Sequence, residues 1–387
     1  METATATISS IQTYFAPLTD PRHEMNREHL LLDLVTMAIC AIIAGADDWV
    51  AVAAFAQTKA SWLQTFLALP SGIPSHDTFW RLFRWLKPEE FEACFLGWIQ
   101  AVSRVTNGQV IAIDGKKLRR SHDKGSGKSA IHMVSAWASA NRLTLGQRKV
   151  DEKSNEITAI PELLQVLEIA GCIVTIDRVP TGRGCQTEIA KTIIEKEADY
   201  LLALKGNQGT LHADVDLLFT DLAESHNTAY PHDHAMTVDK NHGRIEIRHA
   251  WTISDPQLLA NLRNTGNWPQ LHTLLKIQAE RIIDGQRSTE TRYYISSLTA
   301  SAARLLEVAR THWQIENTCH WVLDIAFRED ESRLRKNFGA QNFAILRHIA
   351  LNCLKQERSA RIGTKNKRLR AAWDNDYLLH VLSTLFA

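Results

Sequence analysis

The sequence predicts a mixed α/β protein in which a crossover sheet follows an all-helical N-terminal domain. Three observations carry this. Apolar residues in the first ~105 positions recur at three- and four-residue steps without strand-like alternation. After Thr106, Asn107 and Gly108, short apolar runs alternate with helical patterns, as crossover units do. Two of those runs, Val110 to Asp114 and Ile173 to Asp177, end in an acid, where a parallel sheet presents its ligand-binding edge.

Taken in order, Leu30 to Ala44, Trp49 to Ala56, Ser61 to Leu69, Asp77 to Leu86 and Pro88 to Val105 form five expected helices. The segment Gly72 to Phe83 combines turn residues, a Ser75 or Asp77 cap and a helix bearing Arg81 and Arg84, a pattern that suits DNA docking or core packing. Strands follow at Val110 to Asp114, Ile131 to Ser139 and Leu143 to Val150. Next come a helix at Ile160 to Ala170 with Pro161 in its first turn, a strand at Ile173 to Asp177, a helix at Gln186 to Glu197 and a strand at Tyr200 to Leu204. Three strands, then helix, strand, helix and strand, is the order of an RNase H-like mixed sheet with helices on both faces. A strand-rich insertion is expected at about 225–298, for example Leu274 to Ile283 turning through Asp284 and Gly285, and a basic helical region closes the chain. The expected division is residues 1–106 and 107–387.

Composition sets the broad class. With 387 residues, 45% hydrophobic, 22% charged and a net charge of +1, the chain reads as a soluble globular protein and not as a uniformly basic one. The apolar stretch Leu34 to Ala46 is shorter than the ~20 residues of a membrane span, and Met1 to Ser10 lacks a basic leader, so a cytoplasmic location is expected. The six cysteines at 40, 94, 172, 185, 319 and 353 form no CxxC pair and are expected as reduced, mostly buried thiols. His226, His232, His234, His242 and His249 could offer imidazoles to a transition metal, but no cysteine or helical HxxxH spacing accompanies them, and an exposed polar loop is the favoured reading. The average charge conceals two basic blocks. Arg333 to Arg370 holds eleven Lys/Arg and one acid, and Gly115 to Lys128 holds six and one. Each block fits either a polyanion surface or a solvated face.

The acids come next. Asp114 and Asp177 end strands that could be neighbours, and two carboxylates there can bridge hard divalent cations. Either alone could instead be a turn former or a helix cap. Glu316 is the candidate third acid. Helical spacing places it on one face with Trp313, His320 and Leu323, which predicts an inward-facing carboxylate. An ion pair with Arg310 or with a sequence-distant Lys or Arg is the structural alternative, and Asp324, Glu329 and Asp330 are rival acids.

Several stretches together resemble a known family: Asp114 to Lys116, Asp151 to Leu163, Ile176 with Asp177, Gly184 to Gln186, Leu204 to Gln208, His242 to Arg248, Arg292 to Ser297 and His312 to Asn317. In this order they resemble the H-repeat-associated insertion-sequence transposases, a bacterial branch of the DDE transposases, and the likeness runs from about Asp20 to Leu382. The resemblance implies an RNase H-like core with Asp114, Asp177 and Glu316 as a metal-binding catalytic triad. It also implies two Mg2+ (or Mn2+) ions, and cleavage and strand transfer at the terminal inverted repeats of an element in double-stranded DNA. A homodimer on paired ends is expected, located on the nucleoid when DNA-bound and with no membrane partner. Lys116, Lys205, Asn207, Gln208, Arg244, Arg248 and Arg292 become candidate DNA contacts, joined by Lys365, Lys367, Arg368 and Arg370 of the basic region. Two other readings stay open: a catalytically silent DNA-binding relic, and a metal-dependent nuclease without strand transfer.

Two departures from relatives stand out. Where many members of the wider superfamily carry Arg four residues and Tyr seven residues before the catalytic Glu, and Lys seven after, this chain has His312, Ala309 and Leu323. Relatives also pass from the second Asp to Gly-Cys-Gln through two residues, whereas Arg178 to Arg183 puts six here. Doubling a flexible loop costs only ~0.6 kcal/mol, but ~1 Å of misplacement at a reacting centre can lower a rate ~100-fold. Replacing Arg178 to Arg183 by Ala-Met is therefore expected to raise magnesium-dependent cleavage with little change in melting temperature. Equal or lower cleavage by a stably folded variant would count against an inhibitory loop.

Overall fold

The computed structural model describes residues 10–102, 107–122, 129–150, 156–177, 185–206, 209–226, 228–241 and 243–385. The expected junction at 106, the loop at 178–183, Asn207, Gln208 and His242 lie outside the described residues.

After a helical segment at 10–15, which the sequence did not announce, come α1 (Leu31–Ile43), α2 (Trp49–Thr58), α3 (Ala60–Leu63), α4 (His76–Trp85) and α5 (Pro88–Val102). They match the expected elements except that α3 is one turn long. Asp48 and Ser75 cap α2 and α4 by accepting from the backbone N–H groups of Ala51 and Thr78. Apolar residues surround α1, and it is buried from Asp33 to Ile43 because a second helix covers its far side. That partner is the late helix α12 (Gly339–Gln356), buried from Gly339 to Leu354. Trp49 stacks on Phe83 at 4.7 Å and meets the edge of Phe343 at 4.8 Å, and the Asn342 amide donates to the carbonyls of Phe83 and Leu86. The N-terminal helices and the C-terminal region thus share one core.

The sheet contains β1 (Val110–Lys117), β2 (His132–Ala138), β3 (Leu143–Val150), β4 (Ile173–Ile176) and β5 (Asp199–Leu204), with α6 (Glu156–Val166) and α7 (Cys185–Glu195) as the crossovers. Pro161 falls inside α6, which starts earlier than expected, and not in its first turn. The sheet continues through α8 (Gly209–Glu224), β6 (Asp233–Asn241), β7 (Arg244–Ile253), α9 (Pro256–Asn261), β8 (Thr273–Ile283) and β9 (Gln286–Ser296). Its order is β3-β2-β1-β4-β5-β9-β8-β7-β6. The first five strands have the RNase H-like arrangement, with β1, β4 and β5 parallel and β2 antiparallel to β1. The strand-rich insertion does not form a separate module. β9 pairs antiparallel with β5, so four more strands extend the same sheet.

Period-two alternation assigns the two faces. Val110, Ile173, Leu201 and Ala203 face α10 (Ala302–His312) through Leu305, Leu306 and Ala309, while Ile111, Ile113, Val174, Ile176 and Leu202 face the larger core. The chain ends in α11 (Trp321–Ala326), α12, α13 (Thr364–Trp373) and α14 (Asn375–Ser383). Among the described residues, no helix is long and apolar enough to cross a membrane.

Candidate active site

The register brings the first two acids together. Ile113 of β1 lies beside Ile176 of β4, so one residue further along come Asp114 and Asp177 on adjacent strands. Neighbouring strands are ~4.8 Å apart. Alternation then turns Asp114 and Asp177 towards the α10 face, with Lys116 two residues beyond Asp114 on the same side and Lys205 following Ala203. The Lys205 ammonium is 3.8 Å and the Arg292 guanidinium 4.0 Å from Asp177 Oδ2. Arg292 donates to the Glu290 carboxylate at 2.8 and 3.0 Å and lies 4.3 Å over the Trp313 ring, so that carboxylate and an aromatic face hold it.

Glu316 reaches this edge from the other side. After α10 the chain winds as a π-helical turn, Glu316–His320, closed by the N–H of Trp321 donating to the carbonyl of Glu316. Single π turns of this kind often occur at functional sites. The inward-facing expectation is corrected here. Glu316 is exposed, whereas His320 and Leu323, expected on the same face, are buried. Burial and, after it, the charges of Asp114 and Asp177 raise its pKa above the ordinary glutamate value. Arg310 is not its partner, since that guanidinium pairs with Asp239 at 2.7 Å.

Two histidines that periodicity did not single out for a role complete the surroundings. His320 Nδ1 is 3.4 Å from Asp114 Oδ2. Burial would raise the Asp114 pKa, but the hydrogen bond and charge of His320, with His312 behind it, bring it below the usual aspartate range. His312 is buried, its Nδ1 is 2.9 Å from the Thr175 hydroxyl, and burial lowers its pKa. His312 thus fills the position where the wider superfamily carries Arg, and Leu323 is a core residue.

The rival acids belong to another arrangement. Lys116 Nζ donates to Asp324 and to Glu329 at 2.6 Å each, and Asp330 pairs with Arg119 at 3.2 Å. Burial lowers the Glu329 carboxyl's access to water, yet Lys116, Arg347 and His348 hold its pKa down at about 2. Lys116 is thereby corrected from a DNA contact to an interior ion pair, its side chain only 12% exposed.

Two cations of the basic tail change role as well. Lys367 pairs with Glu357 at 3.0 Å and donates to the carbonyls of Leu354 and Glu357, and Arg368 donates to Asp47 and to the carbonyls of Ile42, Ala46 and Ala326. Both are buried, as is Arg347, whereas Lys365 and Arg370 are exposed. Neutralising Lys365 and Arg370 together is therefore expected to flatten the slope of log affinity against log salt by at most about two units, at about 0.9 per phosphate contact. Lys367→Ala or Arg368→Ala should lower the melting temperature first. A slope that changes by three to four units only when all four are neutralised would restore the tail as a DNA track.

A groove leads away from the acids along β7, β8 and β9 under α10, enclosing about 450 Å3. Arg244, Arg248, Arg281, Arg292 and Arg310 line it, with Glu316 at one end. Glu246 lies among them, engaging Arg244 and Arg281 at 3.1 Å each and also Arg248. Sequence reading proposed Arg244, Arg248 and Arg292 but missed Arg281 and Arg310, whose strand or helix register alone could have revealed them. Among the described residues the histidines do not assemble as a metal cluster. His234 Nε2 is 3.2 Å from His249 Nδ1 beside Trp251, and His232 turns to the Tyr230 carbonyl. Cys40, Cys94, Cys172, Cys319 and Cys353 are free and buried.

The site suits a hard cation by its donor set, because three carboxylates supply oxygen ligands and Asp177 Oδ1 is buried without a hydrogen-bond partner among the described residues. Among the described residues, no three His, Cys, Asp or Glu side chains close to the spacing of a metal cage.

Comparison with known proteins gives the family. Residues 106–353 match the family model described as "Transposase DDE domain", and residues 12–99 match the one described as "DDE_Tnp_1-associated". The chain is 37% identical over 380 residues to "H repeat-associated putative transposase YhhI" of Escherichia coli, covering 97% of this chain and 98% of that protein. It is 44% identical over 301 residues to "Uncharacterized protein in dhlA 3'region" of Xanthobacter autotrophicus, covering 77% and 97%. A cryo-EM structure of the piggyBac transposase synaptic complex with hairpin DNA aligns over 98% of this chain and 78% of that one with a TM-score of 0.43 and 11% identity, a similarity too slight to bear on the chemistry. With a family match over most of its length and H repeat-associated relatives along nearly all of it, the chain belongs to the DDE-domain transposases.

Proposed function

We propose that this protein is the transposase of a bacterial insertion sequence, cleaving DNA at the element's ends and transferring the strands. The observation that supports this most is the register that ends adjacent strands in Asp114 and Asp177, beside a family match over residues 106–353. Asp114, Asp177 and Glu316 would hold two divalent ions, Mg2+ or Mn2+. Such ions supply activation of a water or 3′-hydroxyl and stabilisation of the leaving oxygen.

The chain's own residues supply binding and orientation. Lys205 and Arg292, already drawn to Asp177, are placed to meet a phosphate arriving at the acids. The arginine groove leads DNA backbone away from them, with Asn207 and Gln208 nearby in sequence. Glu246 and Asp239 hold those arginines in place before DNA arrives, which lowers the ordering cost on binding. A dimer acting on paired ends fits the need to join two termini.

Purified protein incubated with Mg2+ and labelled duplex carrying one element end and its flank tests the reading. Cleavage exposing a 3′-hydroxyl at the boundary, followed by joining to a target plasmid, is expected. Nicks without joining would favour a nuclease, and binding without nicks a relic.

A further inference from the structure

We infer that Lys116 is a positioning residue, clamping the π turn that carries Glu316 in register with Asp114. This rests on the reading of Glu316 as the third acid. Lys116 lies on β1 two residues after Asp114, so both side chains rise from the same face of one strand. Its ammonium has three donors and meets three acceptors. Asp324 of α11 and Glu329 lie at 2.6 Å, and the carbonyl of His320, the last residue of the turn, lies at 3.4 Å. The last residue of the turn thus connects to β1 twice: His320 Nδ1 to Asp114, and His320 O, with the following helix, to Lys116.

A π turn needs such a hold because its i→i+5 bond is less favourable than the helical bond it replaces. Relaxing it to α shifts the register by one residue, about 100° of rotation, enough to swing Glu316 off the acid face. The clamp itself is anchored from below, since Glu329 is 2% exposed and faces the buried Arg347 guanidinium at 3.7 Å. Removing Lys116 would leave that pair intact and Asp324 30% exposed, so no carboxylate is stranded in the core.

The test compares Lys116→Met, Lys116→Arg and Glu316→Gln with the parent by hydrogen exchange of the peptide covering residues 314–328, and by cleavage of end DNA at saturating substrate. Lys116→Met is expected to speed exchange in the turn at least tenfold and to lower kcat about 100-fold with KM for end DNA unchanged, the penalty of an ~1 Å displacement. Lys116→Arg should recover part of both. Parental exchange and cleavage within about twofold in Lys116→Met would overturn the clamp. If Lys116→Met fails to fold, Asp324→Asn, which keeps Glu329 paired, carries the same test: a smaller change of the same pattern supports the clamp, and parental exchange overturns it. Glu316→Gln separates the two readings. Parental cleavage by that variant would sink Glu316 as third acid, while the exchange result on Lys116 would still decide whether the turn is clamped.

Discussion

Asp114→Asn, Asp177→Asn and Glu316→Gln are each expected to lower magnesium-dependent cleavage by at least about 10³-fold, and a double substitution should lose little more, because groups that act as a unit are strongly non-additive. The reason is local. Asp114 and Asp177 end adjacent strands, and burial together with their charges raises the pKa of Glu316. Affinity for end DNA should remain close to the parent's, since the groove arginines are untouched. Gel-shift titration and cleavage assays on the same preparations separate the two effects. If Glu316→Gln cleaved normally while Asp330→Asn did not, the third acid would have been assigned to the wrong side of the turn.

Glu329→Ala should instead act on stability. It would remove the carboxylate between Lys116 and the fully buried Arg347, leaving Lys116 with Asp324 alone and Arg347 without its ion-pair partner in the interior. Breaking a buried ion pair by deleting one partner costs about 3–5 kcal/mol. At roughly 2–4 °C per kcal/mol for larger domains, that is a fall in melting temperature on the order of 10 °C. The contribution should also be pH-dependent. The Glu329 pKa is held at about 2 in the folded protein, below the ordinary glutamate value, so its contribution is present above about pH 4.5 and is lost as pH falls towards 2. Thermal melts of the parent and Glu329→Ala should therefore converge in acid. A variant that melts with the parent at neutral pH yet fails to cleave would return Glu329 to the list of rival catalytic acids.

Hydrophobic periodicity alone was enough for the strands β1 to β5, the crossover helices and the acid-terminated edges at Asp114 and Asp177, because side-chain direction in a strand depends only on the two-residue repeat. It was also enough for the hairpin at Asp284 and Gly285, where turn chemistry is local; both residues take positive φ. Long-range pairing was not legible. That β9 docks on β5 and makes the insertion an extension of the sheet depends on which edge is left open after the core has folded. The roles of the charged residues were hidden for the same reason. Lys116, Lys367 and Arg368 read as surface cations until partners separated by 208 to 213, 10 and 321 residues appear beside them. Composition counts charges, but only the tertiary fold decides whether a cation meets solvent, a phosphate or a buried carboxylate, since burial without a partner is too costly to persist. The π turn at Glu316 belongs with these: helical spacing located the acid, and the packing of His320, Asp324 and Glu329 around Lys116 decided which way it faces.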